Sequence, residues 1–146
     1  AEAAMARGIN SQGMKANGRG HGKEPFVRAL CAIFDHPDYI SLSKTSRAFL
    51  WDLARHYNGH NNGNLSIALG IMGKQGWDKR TIARCRDELM AANWLAITRL
   101  PRAKREPILY RLTWLDLDKW EGKPVLDQDA FKQQRRSLRA PAPNPK

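Results

Sequence analysis

The sequence predicts a mainly α-helical domain that carries a small β-hairpin. Apolar residues recur with the i, i+3, i+4 spacing of an amphipathic helix over residues 49–57 and again over residues 79–92. Two later runs, residues 95–99 and 108–114, have the composition of β-strands, and the second alternates clearly. The connection between them, residues 100–107, has a proline near each end and basic residues in between. The two strands are therefore expected to form a hairpin with a basic tip.

Composition confines the predicted folded body to the middle of the chain. Residues 1–24 are rich in Gly, Asn, Lys and Arg, and the chain ends in Ala-Pro-Ala-Pro-Asn-Pro-Lys. Neither end has enough apolar surface to offset the conformational entropy lost on folding. We therefore expect a flexible basic N-terminal arm over residues 1–24, a folded domain over residues 25–126, and a basic, proline-containing C-terminal tail over residues 127–146.

Turn and cap residues divide the first half of the body into elements. Apolar residues between positions 26 and 34 predict a short strand or helical turn, which the His-Pro-Asp sequence at 36–38 is expected to end. Ser43 is the predicted N-cap of the first long helix, and Asn-Gly at 58–59 is its predicted stop. The loop that follows, residues 60–63, is expected to need a positive φ.

The third predicted helix, over residues 79–92, has the clearest start in the chain. Asp78 is a strong N-cap residue, and Asn93 lies where a left-handed terminator is expected. Before it, Ser66 is expected to cap a shorter second helix, and residues 73–78 are expected to form the turn between the two. The inward face of the third helix is predicted to consist of Ile82, Cys85, Leu89 and Ala92.

The order helix, short helix, turn, helix and basic hairpin predicts a winged helix-turn-helix. In that fold the second helix of the pair enters the major groove of DNA, where its N-terminal residues meet the bases. The hairpin, called the wing, contacts phosphates, which fix position without reading sequence. The sequence therefore predicts sequence-specific binding of double-stranded DNA through a recognition helix over residues 79–92 and a basic wing over residues 100–107. The predicted DNA-binding residues are Lys79, Arg80, Thr81, Arg84, Arg102, Lys104 and Arg105.

The distribution of charge favours the same interpretation. The chain has 25 Lys and Arg against 14 Asp and Glu, a formal net charge of +11 at pH 7. Residues 74–111 hold ten basic and four acidic side chains, and residues 130–146 hold five basic and no acidic ones. Such an excess attracts polyanions, of which nucleic acid is the commonest. Basic side chains also occur simply as a solvated surface, and this alternative weighs most for the C-terminal run Lys132, Arg135, Arg136 and Arg139.

A loop signature adds a family resemblance. Residues 55–66, Arg-His-Tyr-Asn-Gly-His-Asn-Asn-Gly-Asn-Leu-Ser, resemble the Arg-Tyr-Asn-Gly-x-Asn-Asn-Gly signature of small winged helix-turn-helix proteins of bacterial chromosomes, phages and plasmids. Residues 49–54 are similar to the first core helix of that family, and residues 78–84 to the start of its recognition helix. The resemblance covers residues 26–126 and implies DNA binding. The chain departs from the family by an insertion at 76–77, Gly-Trp, in the turn before the third helix.

Catalysis and metal binding have no supporting pattern in the sequence. His56 and His60 have the i, i+4 spacing of metal ligands, but Gly59 interrupts the helix between them and no third ligand lies near in sequence. Cys31 and Cys85 are far apart and form no Cys-x-x-Cys pair. The Ser, His and Asp residues form no recognised catalytic motif. We expect no enzyme activity, no catalytic residues, no cofactor and no bound metal.

The remaining expectations concern location, partners and process. No apolar run approaches the length of about 18 residues that spans a bilayer, and no signal-peptide pattern occurs, so a cytoplasmic location without membrane contact is expected. No small-molecule ligand is indicated, and a homodimer is compatible with the fold because such proteins often read paired half-sites. Transcription regulation and replication of a bacterial mobile element both fit. A winged-helix module that binds proteins, and an RNA-binding protein, are the open alternatives.

Five tryptophans are spread through the predicted elements. We interpret them as packing anchors and not as a platform on which bases stack. Trp77 is the exception, because it lies in the turn beside the predicted recognition helix. The five are Trp51, Trp77, Trp94, Trp114 and Trp120.

Overall fold

The computed structural model describes residues 24–118 and 126–139 of the chain. Within these ranges it contains five α-helices and one two-stranded antiparallel sheet, a small mixed fold with a hairpin. None of the described helices is long and apolar enough to cross a membrane. Short 3₁₀-helices cover Gly73–Gln75 and Gln128–Lys132. The other elements are α1 (Cys31–Phe34), α2 (Pro37–Ile40), α3 (Lys44–Ala54), α4 (Leu69–Met72), α5 (Lys79–Ala91), β1 (Leu95–Arg99) and β2 (Leu109–Leu112).

The two long helices, α3 and α5, form the centre of the fold. Each begins at its predicted N-cap: the Ser43 hydroxyl accepts from the Ser46 N–H at 3.2 Å, and the Asp78 carboxylate accepts from the Thr81 N–H at 3.1 Å. Their inward faces are apolar and buried, as the spacing predicts. Ala92, the last residue of the predicted stripe, follows the end of α5 and is half-buried. The buried side chains of these faces are Phe49, Leu50, Leu53, Ile82, Cys85 and Leu89.

Glu88 of α5 fixes the start of α3. Its carboxylate accepts from the Ser43 N–H at 2.6 Å, from the Ser43 hydroxyl at 2.8 Å and from the Ser46 hydroxyl at 2.7 Å. Partial burial acts to raise the pKa of Glu88, but these hydrogen bonds outweigh it and lower the pKa. A negative charge at a helix N-terminus is also favoured by the helix dipole. The bonds therefore set how α5 packs against the first turn of α3.

Three stretches of chain contribute to the β layer. Strands β1 and β2 pair antiparallel with Leu95 opposite Leu112, and the register shifts after Ile97. A further antiparallel bridge joins Leu65, in the segment before α4, to Tyr110 of β2, with N–H···O distances of 3.2 and 2.8 Å. The hairpin is thus held from its β2 side by the segment that leads into α4.

The buried side chain of Asn62 connects the loop after α3 to the end of β2. Its Nδ2 donates to the carbonyls of Leu112, Leu115 and Asp116 at 3.0, 3.2 and 2.9 Å. Its Oδ1 accepts from the Leu112 N–H at 2.7 Å, so both ends of the amide are satisfied. The Asn62 backbone N–H donates to a carboxylate oxygen of Asp118 at 2.8 Å.

The same loop also holds β1. The Thr98 hydroxyl, buried in β1, donates to the Gly63 carbonyl at 2.6 Å. Gly59 and Gly63 have φ of 97° and 110°, so the predicted helix stop and loop both contain a left-handed glycine. Both strands of the hairpin are therefore bonded to the loop that follows α3.

The C-terminal segment, residues 126–139, packs against the body where composition predicts a tail. Ala130 is buried. The Asp127 N–H donates to the Thr98 carbonyl at 2.9 Å, and Gln133 Nε2 donates to the Ile97 carbonyl at 2.8 Å. In the part of the chain that the structure describes, the folded body therefore continues past residue 126.

Arg136 anchors the C-terminal segment. Its side chain is only 6 % exposed, and it pairs with the carboxylate of Asp38. Its Nε donates to the Asn93 carbonyl and its Nη2 to the Ala92 carbonyl, both at 2.8 Å. The guanidinium carbon lies 4.0 Å from the ring centroid of Trp94. Arg136 thus satisfies carbonyls at the C-terminal end of α5, where positive charge is favoured.

One predicted local assignment is incomplete and another is wrong. The first element, α1, ends at Phe34 just before the His-Pro-Asp sequence, but that sequence also starts α2: His36 Nδ1 accepts from the Asp38 N–H at 3.0 Å, and Pro37 is the first helical residue. Proline suits this position because its missing N–H needs no partner there. Ser66 does not cap α4, which begins only at Leu69 with no side-chain cap. The second strand, at Leu109–Leu112, is also shorter than its predicted run, residues 108–114.

The tryptophans within the described ranges pack as expected. Trp94 and Trp114 are buried, with ring centroids 5.9 Å apart, and Trp51 is packed against the same core. Trp120 lies outside the described residues. The predicted N-terminal arm also lies outside them except for Glu24, as does the predicted tail beyond residue 139.

Replacing Asn62 by Ala should lower the free energy of unfolding by about 3 kcal/mol, because it leaves buried backbone groups of Leu112 and its neighbours without partners. Urea unfolding followed by tryptophan fluorescence measures the loss. Asn64→Ala is the matched control, since Asn64 lies in the same loop but is exposed; we expect it to change stability by less than about 0.5 kcal/mol. Equal effects of the two substitutions would contradict the role given to Asn62.

Replacing Glu88 by Gln should reduce stability by about 1 kcal/mol near neutral pH, because a neutral amide accepts weaker hydrogen bonds from Ser43 and Ser46. The pKa of Glu88 is lowered in the folded state, so its contribution is present above the ordinary Glu pKa and is lost as pH falls through the folded-state pKa. Unfolding curves of both proteins at a series of pH values should therefore converge in acid. Asp87→Asn, on the exposed face of the same helix, is the control; a gap for Glu88→Gln that stays constant into acid argues against the assignment.

Candidate functional site

The outer face of α5 carries an exposed group of cations. Lys79, Arg80 and Arg84 are exposed, and Ala83 between them is half-buried. None of the three has an ion-pair partner among the described residues. Arg84 is near enough to Glu88 to help lower its pKa without forming a contact pair. The first two turns of α5 therefore present three available cations around a small residue.

Thr81, predicted to contact DNA, is bonded within the protein to the N-cap residue of α5. Its hydroxyl donates to Asp78 Oδ1 at 2.7 Å while its N–H donates to Asp78 Oδ2 at 3.1 Å. These bonds lower the pKa of Asp78, with the hydroxyl bond contributing most. Thr81 is thus part of the helix cap, and its hydroxyl proton is already used within the protein.

The Gly-Trp pair at 76–77 anchors the start of α5 to α3. Gly76 has φ 93°, which lets the chain reverse after the 3₁₀-helix. Trp77 Nε1 donates to Asp52 Oδ2 at 2.7 Å, and its ring packs edge-on against Phe49 with centroids 5.0 Å apart. Trp77 therefore belongs to the packing between helices, and it holds the residue next to Asp78 in place.

The hairpin connection, residues 100–107, carries cations of two kinds. Lys104 and Arg105 are exposed and have no ion-pair partner within the described ranges. Arg102 is also exposed, but its Nη2 donates to Asp127 Oδ1 at 3.0 Å. Of the three predicted wing residues, two are thus available to an outside anion and one is already paired.

Arg105 occupies a strained backbone position at this exposed site. Its φ is 68°, in the left-handed region that glycine and asparagine tolerate better than other residues. Such a conformation costs about 1 kcal/mol or more. The connection therefore holds an arginine where glycine or asparagine would be more stable.

Glu106 organises the base of the connection. It accepts from the Arg102 N–H at 2.8 Å and pairs with Arg99 at 3.0 Å. The Arg102 N–H bond contributes most to lowering the pKa of Glu106. The conformation of the connection is therefore stabilised by contacts within the hairpin itself.

Other basic residues of the same stretch serve the fold. Arg86 of α5 pairs with Asp87 at 2.9 Å and contacts the hydroxyl of Tyr110. Arg111 is buried and donates to the Leu115 carbonyl at 2.6 Å. Burial lowers the pKa of Arg111. The local excess of positive charge read from the sequence thus divides into surface cations and structural ones.

The C-terminal cations are divided in the same way. Lys132 Nζ lies 3.7 Å from Asp129 Oδ1, and Arg135 Nη1 lies 3.6 Å from Asp116 Oδ1. Arg136 is buried beneath the end of α5, and Arg139 is exposed. The sequence predicts Arg136 only as one of a run of basic residues, and it predicts neither the contacts of Arg136 nor those of Asp127, since their partners lie at distant positions in the chain.

One member of the histidine pair, His56, has a structural contact in the described part of the chain. His56 Nε2 lies 2.6 Å from Gln75 Oε1, which ties the end of α3 to the turn before α5. Within the described ranges no three His, Cys, Asp or Glu side chains are grouped so that they could hold a metal ion. What the arrangement offers chemically is a set of fixed cations suited to binding anionic groups.

The loop that carries the family resemblance has a structural role here, through the bonds of Asn62 and the left-handed Gly63. A loop of this kind fixes a hairpin to a helix whatever the protein binds. The family remains a prediction, because no protein-family model, no curated protein and no solved structure matches this chain.

Proposed function

We propose that this protein binds double-stranded DNA sequence-specifically, as a winged helix-turn-helix, with α5 in the major groove and the hairpin connection on the adjacent backbone. One observation carries the proposal. The first two turns of α5 expose Lys79, Arg80 and Arg84 without internal partners, while the opposite side of the helix is packed into the core.

The shape of α5 suits the major groove. Its 13 residues correspond to a rod about 20 Å long. The groove is about 12 Å wide, enough for one helix, and its base edges distinguish the four base pairs. Arg80 and Arg84 are one helical turn apart, and an arginine can donate two hydrogen bonds to a guanine. Ala83 leaves room for close approach.

The proposed fold assigns α4, the turn and α5 to the helix-turn-helix and the β1–β2 hairpin to the wing. The bridge between Leu65 and Tyr110 supplies the third stretch of a small sheet behind the hairpin. Since β1 follows α5 after only Ala92, Asn93 and Trp94, the hairpin starts directly at the end of the recognition helix. This continuity supports joint contact of both elements with one duplex.

The proposed wing contact is electrostatic. Lys104 and Arg105 would bind phosphates, which strengthens binding to every sequence about equally. The role is binding without catalysis, in transcription regulation or in replication. Thr81 is left out of the proposed base contacts because its hydroxyl caps α5.

A protein-binding module is the second candidate, and exposed apolar side chains favour it. Leu69 and Ile71 of α4 are 51 % and 40 % exposed. Apolar side chains that cluster on a surface often mark a contact with another protein. The experiment below separates the two candidates.

Binding of the full chain to a random-sequence duplex, and to RNA of equal length, should be measured over a series of salt concentrations. We expect duplex binding whose log K falls linearly with log salt, by about 0.9 for each phosphate contacted. Weaker binding to RNA is expected, because its major groove is too narrow for a helix. Equal affinity for RNA and DNA would favour an RNA-binding role. If the protein bound neither nucleic acid even at low salt, the result would favour the protein-binding module.

Substitutions on the two elements should have different effects once a preferred sequence has been selected from a random pool. Replacing Arg80 and Arg84 by Ala should reduce discrimination between preferred and random DNA by about 1–3 kcal/mol for each residue that contacts a base. Replacing Lys104 by Ala and Arg105 by Asn should weaken binding to both DNAs by the same factor. Fluorescence anisotropy with the two duplexes measures both effects.

The hairpin variants need a check of folding stability and a control for the loss of positive charge. Asn tolerates the positive φ of Arg105, so Arg105→Asn should be at least as stable as the parent protein. Lys44→Ala is the control for loss of a positive charge. Lys44 is exposed at the start of α3, next to the residue that is bonded to Glu88, and its replacement should change DNA binding little. Lost discrimination from the hairpin variants, with none from the helix variants, would reverse the proposed roles.

A further inference from the structure

Asp127 is bonded to the base of the hairpin connection through both carboxylate oxygens. Oδ2 accepts from the Leu100 N–H at 2.9 Å, and Oδ1 accepts from Arg102 Nη2 at 3.0 Å. The side chain of Asp127 is 30 % exposed and that of Arg102 is 57 % exposed. The pair therefore lies at the surface, where an outside anion can reach the guanidinium.

The backbone holds Asp127 firmly in this position. Its N–H donates to the Thr98 carbonyl at 2.9 Å, and its carbonyl accepts from the Ala130 N–H at 3.0 Å. The Leu100 N–H bond is the largest of the contacts that lower the pKa of Asp127, followed by the bond from Arg102. The carboxylate is thus kept charged beside Arg102.

Building on the proposed DNA binding, we propose that Asp127 competes with a DNA phosphate for the guanidinium of Arg102. This internal competition lowers the affinity of the hairpin for DNA of any sequence. A carboxylate and a phosphate offer a guanidinium the same kind of charged oxygen acceptors. The competitor is part of the same chain, so it is always present at high local concentration.

The competition is weak enough for its removal to be measurable without unfolding the protein. Exposed ion pairs contribute little to folding stability. Asn in place of Asp127 keeps an oxygen that can accept from the Leu100 N–H but lacks the charge that holds Arg102. A second neutral variant, Asp127→Ser, offers a hydroxyl oxygen at the same place.

The test measures affinity for a random-sequence duplex at one moderate salt concentration, with the full chain. Asp127→Asn and Asp127→Ser should each bind about two- to fivefold more tightly than the parent protein, the range set by an exposed ion pair. The double variant Asp127→Asn/Arg102→Ala, compared with Arg102→Ala alone, should gain no more affinity than the change in net charge gives, since the two residues act as one pair.

Asp129→Asn is the matched control for the change in net charge. Asp129 lies two residues away in the same segment, its side chain is 92 % exposed, and its ion-pair partner in the described chain is Lys132 at 3.7 Å. Asp129→Asn raises the net charge by the same amount without changing a contact of the hairpin. Its gain in affinity for the duplex should therefore be less than half that of Asp127→Asn.

The outcomes distinguish this inference from the proposed function. If the parent protein binds no DNA at any salt concentration, both are overturned. If it binds DNA but Asp127→Asn gains no more than Asp129→Asn, or keeps its gain without Arg102, only the competitor role is overturned. Loss of the native circular dichroism spectrum in both Asp127 variants would also overturn it, because the pair would then be a structural contact.

Discussion

The buried amide of Asn62 is the contact on which the position of the hairpin depends. A side chain of this size provides both donor and acceptor in one plane, so it can satisfy the N–H and the carbonyl of Leu112 together. With Thr98 bound to the neighbouring Gly63, the loop after α3 is bonded to both strands. Since α3 is in turn packed on α5, the hairpin and the outer face of α5 are carried by one rigid unit. Any ligand that contacts both surfaces meets them at a fixed separation.

Carboxylates decide which of the many cations remain available. Asp87, Glu106 and Asp127 each pair with an arginine of α5 or of the hairpin, whereas Glu88 is bonded to the start of α3. Among the described basic residues of α5 and the hairpin connection, those without an ion pair lie at two places, the first turns of α5 and the tip of the connection. Net charge alone therefore overstates the number of cations that are available to an outside anion, and the ion pairs determine where those cations lie. The same pairing gives Arg86 and Arg99 a structural role, and Arg111 has one through its bond to the Leu115 carbonyl.

Elements with local signals could be predicted from the sequence. The caps at Ser43 and Asp78, the left-handed Asn93 and the apolar faces of α3 and α5 all depend on residues within a few positions of one another. Lys79, Arg80 and Arg84 were predictable as exposed cations for the same reason. The pairing of Arg102 with Asp127 and the burial of Arg136 join positions far apart in sequence, and composition near the C-terminus gives no sign of them. Ser66 failed as a cap because Leu65 beside it is paired with β2, a tertiary contact that overrides local preference.

The burial of Arg136 has a consequence for the order in which the molecule is completed during synthesis. Helix α5 ends more than forty residues before Arg136, yet its last carbonyls find their charged partner only in that residue. A nascent chain that has emerged only through β2 still has an open end on this helix and an uncovered face on the Trp94 ring. Until residue 136 has been made and has left the ribosome, these carbonyls must bind water instead, and the C-terminal segment cannot cover the end of α5.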